Sequence, residues 1–345
     1  MVLNQQTLQL MEELTSLIGV SGSETEVAQC LAHYYENYGA SLCRDHLGSL
    51  YGLKKSNQAK ALKVMISANL DEIGFMVQGL MAEGYAKLLP LGDISAAEGQ
   101  TLRVQCISNE GEVIQGNAYY TQKQWYGDFG GAQKSDLEAL NIEPGNKVAL
   151  AGAFEVLSNG KRLISKAWRN RLGCVLGIEL LKAFQHQDLP FDLYIGGTAQ
   201  REVGLRGAET ATELIQPDLA IVIDCMPVET LSGTYPCQLG QGLLLQFYDK
   251  SMMPNRGLLQ SFRGHCQKEH IAYQHYYSME ETDAKWIHKR IIGCPTLVLA
   301  VGGRYIHSGN ELIDSQDYSS LYEALKGWLE NQNQETIQAY KTSNR

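Results

Sequence analysis

Two opposite charges stand side by side in a glycine-rich stretch, Gly196-Gly197-Thr198-Ala199-Gln200-Arg201-Glu202-Val203-Gly204-Leu205-Arg206-Gly207. The stretch follows an apolar run at 192–195 that reads as a buried strand, and it precedes a helical run at 208–216. Loops at the C-terminal ends of strands are where an open α/β sheet gathers its chemistry. Other polar groups fall at comparable places. Asn69, Asp71 and Glu72 follow an apolar run at 62–68, Asp224 ends another at 219–224, and His307 lies beyond a third at 295–301. Arg169 sits just ahead of a helix in Lys166-Ala167-Trp168-Arg169-Asn170-Arg171. Carboxylates and a histidine converging on one crevice suit a hard or borderline divalent ion. Taken singly, each has a plainer reading. Asp224 serves as a strand-end cap, His307 as a hydrogen-bonded loop residue, and Arg201–Glu202 as a surface pair of little energetic consequence.

The elements that must position these residues follow from periodicity. Leu8, Met11, Leu14 and Leu17 are spaced for an amphipathic helix over 4–18. Ser23 with Glu26 reads as a capping box for a second helix, with Val27, Leu31, Tyr34 and Tyr38 on its apolar side. The near-continuous apolar run at 62–68 predicts a strand buried on both faces. From 73 to about 165 helical periodicity nearly vanishes. Short strand-like runs are punctuated by glycine, with a hairpin turn at 108–111 and one short helix at 135–140. Alternation then returns, with helices at 170–185, 255–269, 282–290 and 316–331 between strands at 192–198, 219–224, 242–248, 271–277 and 295–301. This pattern predicts an α/β fold, a mixed sheet sandwiched by helices, from 1–73 and 166–345, interrupted by a β-rich insert at 74–165.

Composition narrows the function classes. A net charge of −9 without clustered basic residues argues against a nucleic-acid partner. No run reaches the roughly 18–20 apolar residues of a membrane helix, and the first 17 residues lack the pattern of a signal peptide. The eight cysteines form no Cys-x-x-Cys pair, so they read as reduced thiols of a cytoplasmic protein rather than a cysteine zinc site.

Taken together, these segments resemble the glutamyl aminopeptidase / tetrahedral aminopeptidase family over nearly the whole chain. Ser67-Ala68-Asn69-Leu70-Asp71-Glu72-Ile73-Gly74-Phe75-Met76-Val77 resembles its Ala-His-x-Asp-Glu-x-Gly-Phe-x-Val strand end. Lys166-Ala167-Trp168-Arg169-Asn170-Arg171 resembles its Lys-Ala-x-Asp-Asn/Asp-Arg segment, and Arg304-Tyr305-Ile306-His307-Ser308 its Arg-Tyr-x-His-Ser. Glu202-Val203-Gly204-Leu205-Arg206-Gly207 is similar to its Glu-Glu-Val-Gly-x-Arg-Gly loop from the second Glu onward. Residues 127–131 and Ile142-Glu143-Pro144-Gly145 resemble features of its inserted domain. The resemblance implies that the insert is a barrel-like dimerisation domain and that dimers build larger assemblies, often dodecamers. It also implies removal of N-terminal residues from peptides with two zinc or cobalt ions.

The resemblance also locates a break. It assigns Glu202, Asp224 and His307 to three metal ligands, and Asp71 to the acid that orients a ligand histidine. That histidine is Asn69 here, the bridging aspartate is Arg169, and the general-base glutamate is Arg201. Arginine stays protonated and has no lone pair to give a metal, and it cannot take a proton from water. The two replacements add as much positive charge as two divalent ions carry. The expectation is therefore that Arg169 and Arg201 fill the space of the metals and pair with Asp71, Glu202 and Asp224. The family's Gly-Gly-Thr-Asp turn beside the cleft reads Glu280-Glu281-Thr282-Asp283, placing Glu280, Glu281 and Asp283 at the substrate cleft. The leading expectation is a pseudoenzyme that needs no cofactor, works as a binding or regulatory subunit, and takes a peptide or an anionic small molecule. Two alternatives remain open: an aminopeptidase with a single-metal site, and a hydrolase or lyase that binds an anionic substrate through Arg201.

Overall fold

The computed structural model describes residues 3–157, 160–228 and 237–343. The chain opens with helices α1 (Gln5–Ser16) and α2 (Thr25–Asn37), then strands β1 (Ser41–Arg44), β2 (Leu50–Lys54) and β3 (Lys63–Asn69). Next come β4 (Gly74–Leu80), β5 (Tyr85–Leu91), β6 (Thr101–Ile107), β7 (Val113–Thr121), β8 (Gln124–Asp128), α3 (Lys134–Ala139) and β9 (Lys147–Leu150). Then follow β10 (Glu155–Val156), β11 (Arg162–Ser165), α4 (Trp168–Phe184), β12 (Asp192–Thr198), α5 (Arg206–Ile215) and β13 (Leu219–Pro227). The last third holds β14 (Leu243–Tyr248), α6 (Arg256–Lys268), β15 (Tyr273–Tyr277), α7 (Ala284–Ile287), β16 (Thr296–Arg304), β17 (Glu311–Asp314), α8 (Ser315–Glu330) and α9 (Gln334–Tyr340).

The large sheet runs β1-β2-β12-β3-β13-β16-β17-β11-β10, with β14 paired to β16 and β15 to β14. Its centre is parallel: β12 pairs β3, β3 pairs β13, and β13 pairs β16. The C-terminal ends of four central strands therefore lie on one edge, which brings Asn69, Thr198 and Asp224 together. β13 is buried along its length as far as Met226, as a strand covered on both faces must be. Helices α1, α2, α4, α6 and α8 cover one face through Leu14, Leu31, Leu172, Leu258 and Leu321. α5 and α7 cover the other through Ala208, Ala211, Ala284 and Ile287. Each such Leu contributes about 1.5–3 kcal/mol by leaving water. Gly196 is required where β12 meets β2, because a Cβ there would lie 2.0 Å from the Leu50 carbonyl oxygen.

The intervening strands close into a separate barrel, β4-β5-β8-β7-β6-β9, filled by Phe75, Leu88, Val104, Trp125 and Val148. The barrel ends with β9, earlier than the 165 boundary expected from the sequence. β10 and β11 pair with each other, and β11 joins the large sheet through β17. The Arg162–Asp314 ion pair at 2.7 Å holds β11 there. The capping box expected at Ser23 does not form. Helix α2 begins at Thr25, and Glu24 instead accepts from the backbone N–H groups of Gly22 and Gln200. Tyr35, not Tyr34, is the buried tyrosine of α2, while Tyr34 donates to Glu13 at 2.6 Å.

Candidate functional site

The site forms where β3, β12 and β13 end, beneath the N-terminus of α4. Its backbone is unusual: Ala167, Gln200, Tyr305 and His307 hold φ of 58, 55, 58 and 67°. L-residues rarely adopt this left-handed region, and such strain clusters where side-chain direction matters. At Gly92, φ is 93° and a Cβ would meet Ile73 Cγ2 at 2.6 Å, so the loop after β5 passes close over Glu202.

Two guanidinium groups occupy the centre. Arg201 Nη1 lies 2.7 Å from Glu202 Oε1, and its Nη2 lies 3.3 Å from Asp224 Oδ2. Arg169 Nε lies 3.4 Å from Asp224 Oδ1, so Asp224 is shared between both cations. Arg169 Nη2 reaches Glu280 Oε2 at 2.7 Å, and its Nη1 donates to His307 Nε2 at 2.6 Å. Because arginine only donates, that contact fixes His307 as neutral imidazole with its proton on Nδ1. Asn170 Nδ2 donates a further bond to Glu202 Oε1 at 2.9 Å. Glu311 braces the cluster from below. Its two oxygens accept from the backbone N–H groups of Arg169 and His307 at 3.2 and 3.0 Å.

Proton affinities follow this geometry. Burial pushes the Glu202 carboxyl up, but Arg201 and Arg169 outweigh it and bring its pKa to about 2. Burial and the neighbouring Arg201 oppose the charge on Arg169, yet Asp224, Glu280 and Glu202 outweigh both and raise its pKa. Burial also opposes the Arg201 charge, and Glu202 and Asp224 overcome it. Burial and then the Arg169 charge lower His307. Burial raises Asp71, Glu311 and Asp283 to about 7, 7 and 6.

The expected residues do not all meet in one network. Asp71 does not pair with either guanidinium, contrary to expectation. It is satisfied by Ser21 Oγ at 2.6 Å and by the backbone N–H groups of Arg201 and Glu202 at 2.8 and 2.9 Å. Asn69 orients its amide to donate to Asp283 Oδ2 at 2.9 Å, and Thr198 Oγ1 donates to the same oxygen at 2.5 Å. Asp283 is thus buried under the strand ends, while Glu281 turns away to Lys285 at 2.7 Å. Glu280 does reach the centre. Glu72 lies beside the cluster rather than in it, held by Lys166 at 2.6 Å and Arg171 at 3.3 Å. Glu311 and Asn170 escaped the sequence reading. The available signal was Asn170 beside Arg169 and an acid four residues after His307, at the start of a strand.

Residues 48–323 match the family model of M42 glutamyl aminopeptidase. The chain belongs to the M42 glutamyl aminopeptidase family. The glutamyl aminopeptidase of Lactococcus lactis subsp. cremoris is 29% identical over 95% of this chain and 97% of its own length. A TET aminopeptidase from a marine-sediment Thaumarchaeota archaeon superposes with a TM-score of 0.93 at 26% identity, covering 97% of this chain and 99% of that one. The Pyrococcus horikoshii TET1 peptidase, described as assembling into a tetrahedron or a large octahedral shell, superposes at 0.83 with 24% identity over 93% and 98% of the two chains. M42 proteins are metallopeptidases, so the donors of this site bear on what it can hold. Each of Glu202, Asp224 and His307 has a guanidinium nitrogen against it. Among the described residues no group of three or more His, Cys, Asp or Glu is arranged to hold a metal ion. As a donor set, two arginines and an asparagine beside these three do not fit a metal pair.

Proposed function

We propose that this chain keeps the M42 architecture but has given up two-metal peptide hydrolysis, and acts as a binding or regulatory member of the family. One observation carries the reading: the nitrogens of Arg169 and Arg201 lie against the carboxylates and the histidine that would otherwise face metals. A permanently charged guanidinium at 201 cannot take a proton from water, which removes a contribution of roughly 10²–10⁴-fold. Without a metal pair there is no Lewis acid and no water ionised near neutral pH. The guanidiniums neutralise Glu202 and Asp224, which as unpaired buried charges would cost several kcal/mol. No divalent cofactor is needed on this reading.

The test is hydrolysis of aminoacyl p-nitroanilides with added zinc or cobalt, alongside elemental analysis of the purified chain. No turnover and well under one tightly bound metal per chain are expected. Turnover that disappears in Glu202→Ala would instead establish an active aminopeptidase with a remodelled site. A triple variant, Asn69→His with Arg169→Asp and Arg201→Glu, should gain metal binding that the parent lacks.

Self-association through the barrel is part of the same proposal. The barrel exposes Tyr85, Leu89, Val113 and Tyr119, each 38–49% accessible. The shells described for the Pyrococcus horikoshii neighbour are the precedent for such assembly. Light scattering that returned a monomer at all concentrations would remove this part.

A further inference from the structure

We propose that the Arg169 guanidinium is the receptor for a small organic carboxylate, and that Glu280 is an internal stand-in that the ligand displaces. The inference rests on the reading above, in which arginine rather than metal fills the site. Arg169 is 2% exposed, yet the carboxylate on its Nη2 belongs to a side chain that is 41% exposed. Its other acidic partner, Asp224, is 1% exposed, and Glu202 beside it is 4% exposed. Glu280 therefore meets Arg169 from the solvent side, while Asp224 and Glu202 meet the two guanidiniums from within.

The segment carrying Glu280 is built to present it. Both ends are pinned: the Ser278 N–H donates to the Tyr248 carbonyl at 3.0 Å, and Thr282 Oγ1 donates to Asp249 Oδ2 at 2.9 Å. Asp249 is itself buried, and it also accepts from Ser251 and Gln246. Between the pins, Met279 is 65% exposed and Glu281 is engaged with Lys285. Rotation of one side chain, with no change in the pinned backbone, uncovers Nη2. Glu202 and Asp224 stay paired with the two guanidiniums when Glu280 leaves, so an incoming carboxylate replaces the one negative charge withdrawn from Nη2. The ligand takes up the oxygen position that Glu280 vacates, next to His307, and keeps the charge-assisted bond to Nη2.

Isothermal titration of succinate into the wild-type chain and into Glu280→Ala tests the latch, with neutral succinamide as control. If Glu280 holds Nη2 in at least about nine of ten molecules, the variant binds succinate about tenfold more tightly or better. Succinamide binds neither chain, and added salt weakens succinate binding. Thermal melts confirm folding, and Glu280→Gln replaces the alanine variant if that one fails to fold. Equal affinity, or no binding to either folded metal-free chain, overturns the latch and leaves the proposed function standing. Two tightly bound metals per chain in the same samples overturn both.

Discussion

Asp224 shows how the arginines divide their work. Each of its oxygens faces a different guanidinium, and Oδ1 also accepts from the Cys225 N–H at 2.8 Å. Removing either cation leaves buried negative charge without an equal partner. Arg201→Met should therefore lower stability by about 3–5 kcal/mol, read by urea denaturation. Arg201→Lys should recover only part of that loss, because one ammonium cannot reproduce the forked contact to both Glu202 and Asp224. A loss below about 1 kcal/mol in Arg201→Met would contradict the view that the arginine neutralises otherwise unpaired buried carboxylates. That Arg169, Arg201, Glu202, Asp224 and His307 lie together was legible in the sequence, because the last three coincide with ligand positions of the resembled family and the two arginines replace residues there. The role of Asp71 was not. Opposite charge favoured a guanidinium partner, but the turn at 200–202 aims two backbone N–H groups at it first.

At the scale of elements, α4 carries most of the responsibility. It delivers Arg169 and Asn170 from its first turn, and its flank packs Leu172, Val175 and Leu176 against the sheet. Leu172→Ala should cost about 2–5 kcal/mol through lost burial and a cavity. It should also loosen the Arg169–His307 contact, seen as a rise in the His307 pKa by NMR titration. The central strands and long helices could be read from periodicity, since apolar runs and 3.6-residue spacing survive without tertiary context. β8, β11, β17 and α9 could not. β11 is four residues long and takes its identity from the Asp314 side of β17 rather than from its own pattern. The expected Ser23 cap failed for a similar reason: Glu24 is drawn across space to Gln200, 176 residues away.

For the whole molecule, raised carboxyl pKa values predict a stability that falls as pH rises. Asp71, Glu311 and Asp317 are raised to about 7, chiefly by burial. Between about pH 4 and 7 the folded chain holds protons that the unfolded chain has released, so stability falls as pH rises through that window. Asp283, raised to about 6, adds to this fall, while His307 and His265, lowered in the fold, oppose it below their ordinary value, two groups against four. Glu202, lowered to about 2, contributes stability that is full above about 4.5 and lost only as pH falls toward 2. The melting temperature should therefore peak in mildly acidic buffer, and a monotonic rise from pH 5 to 8 would contradict the assignment. The Lys166–Glu72 pair has a consequence for how the molecule comes to be folded. Glu72 stands just before the chain enters the barrel, and Lys166 lies 94 residues on, just after β11 has rejoined the large sheet, so their buried contact, with Arg171 on the same carboxylate, helps tie the two ends of the excursion together. Barrel and sheet each hold their own apolar core and can nucleate apart. The expected order closes the neck between them late, since loop-closure entropy comes before the reward of a distant contact. Lys166→Met should thus speed unfolding far more than it slows refolding.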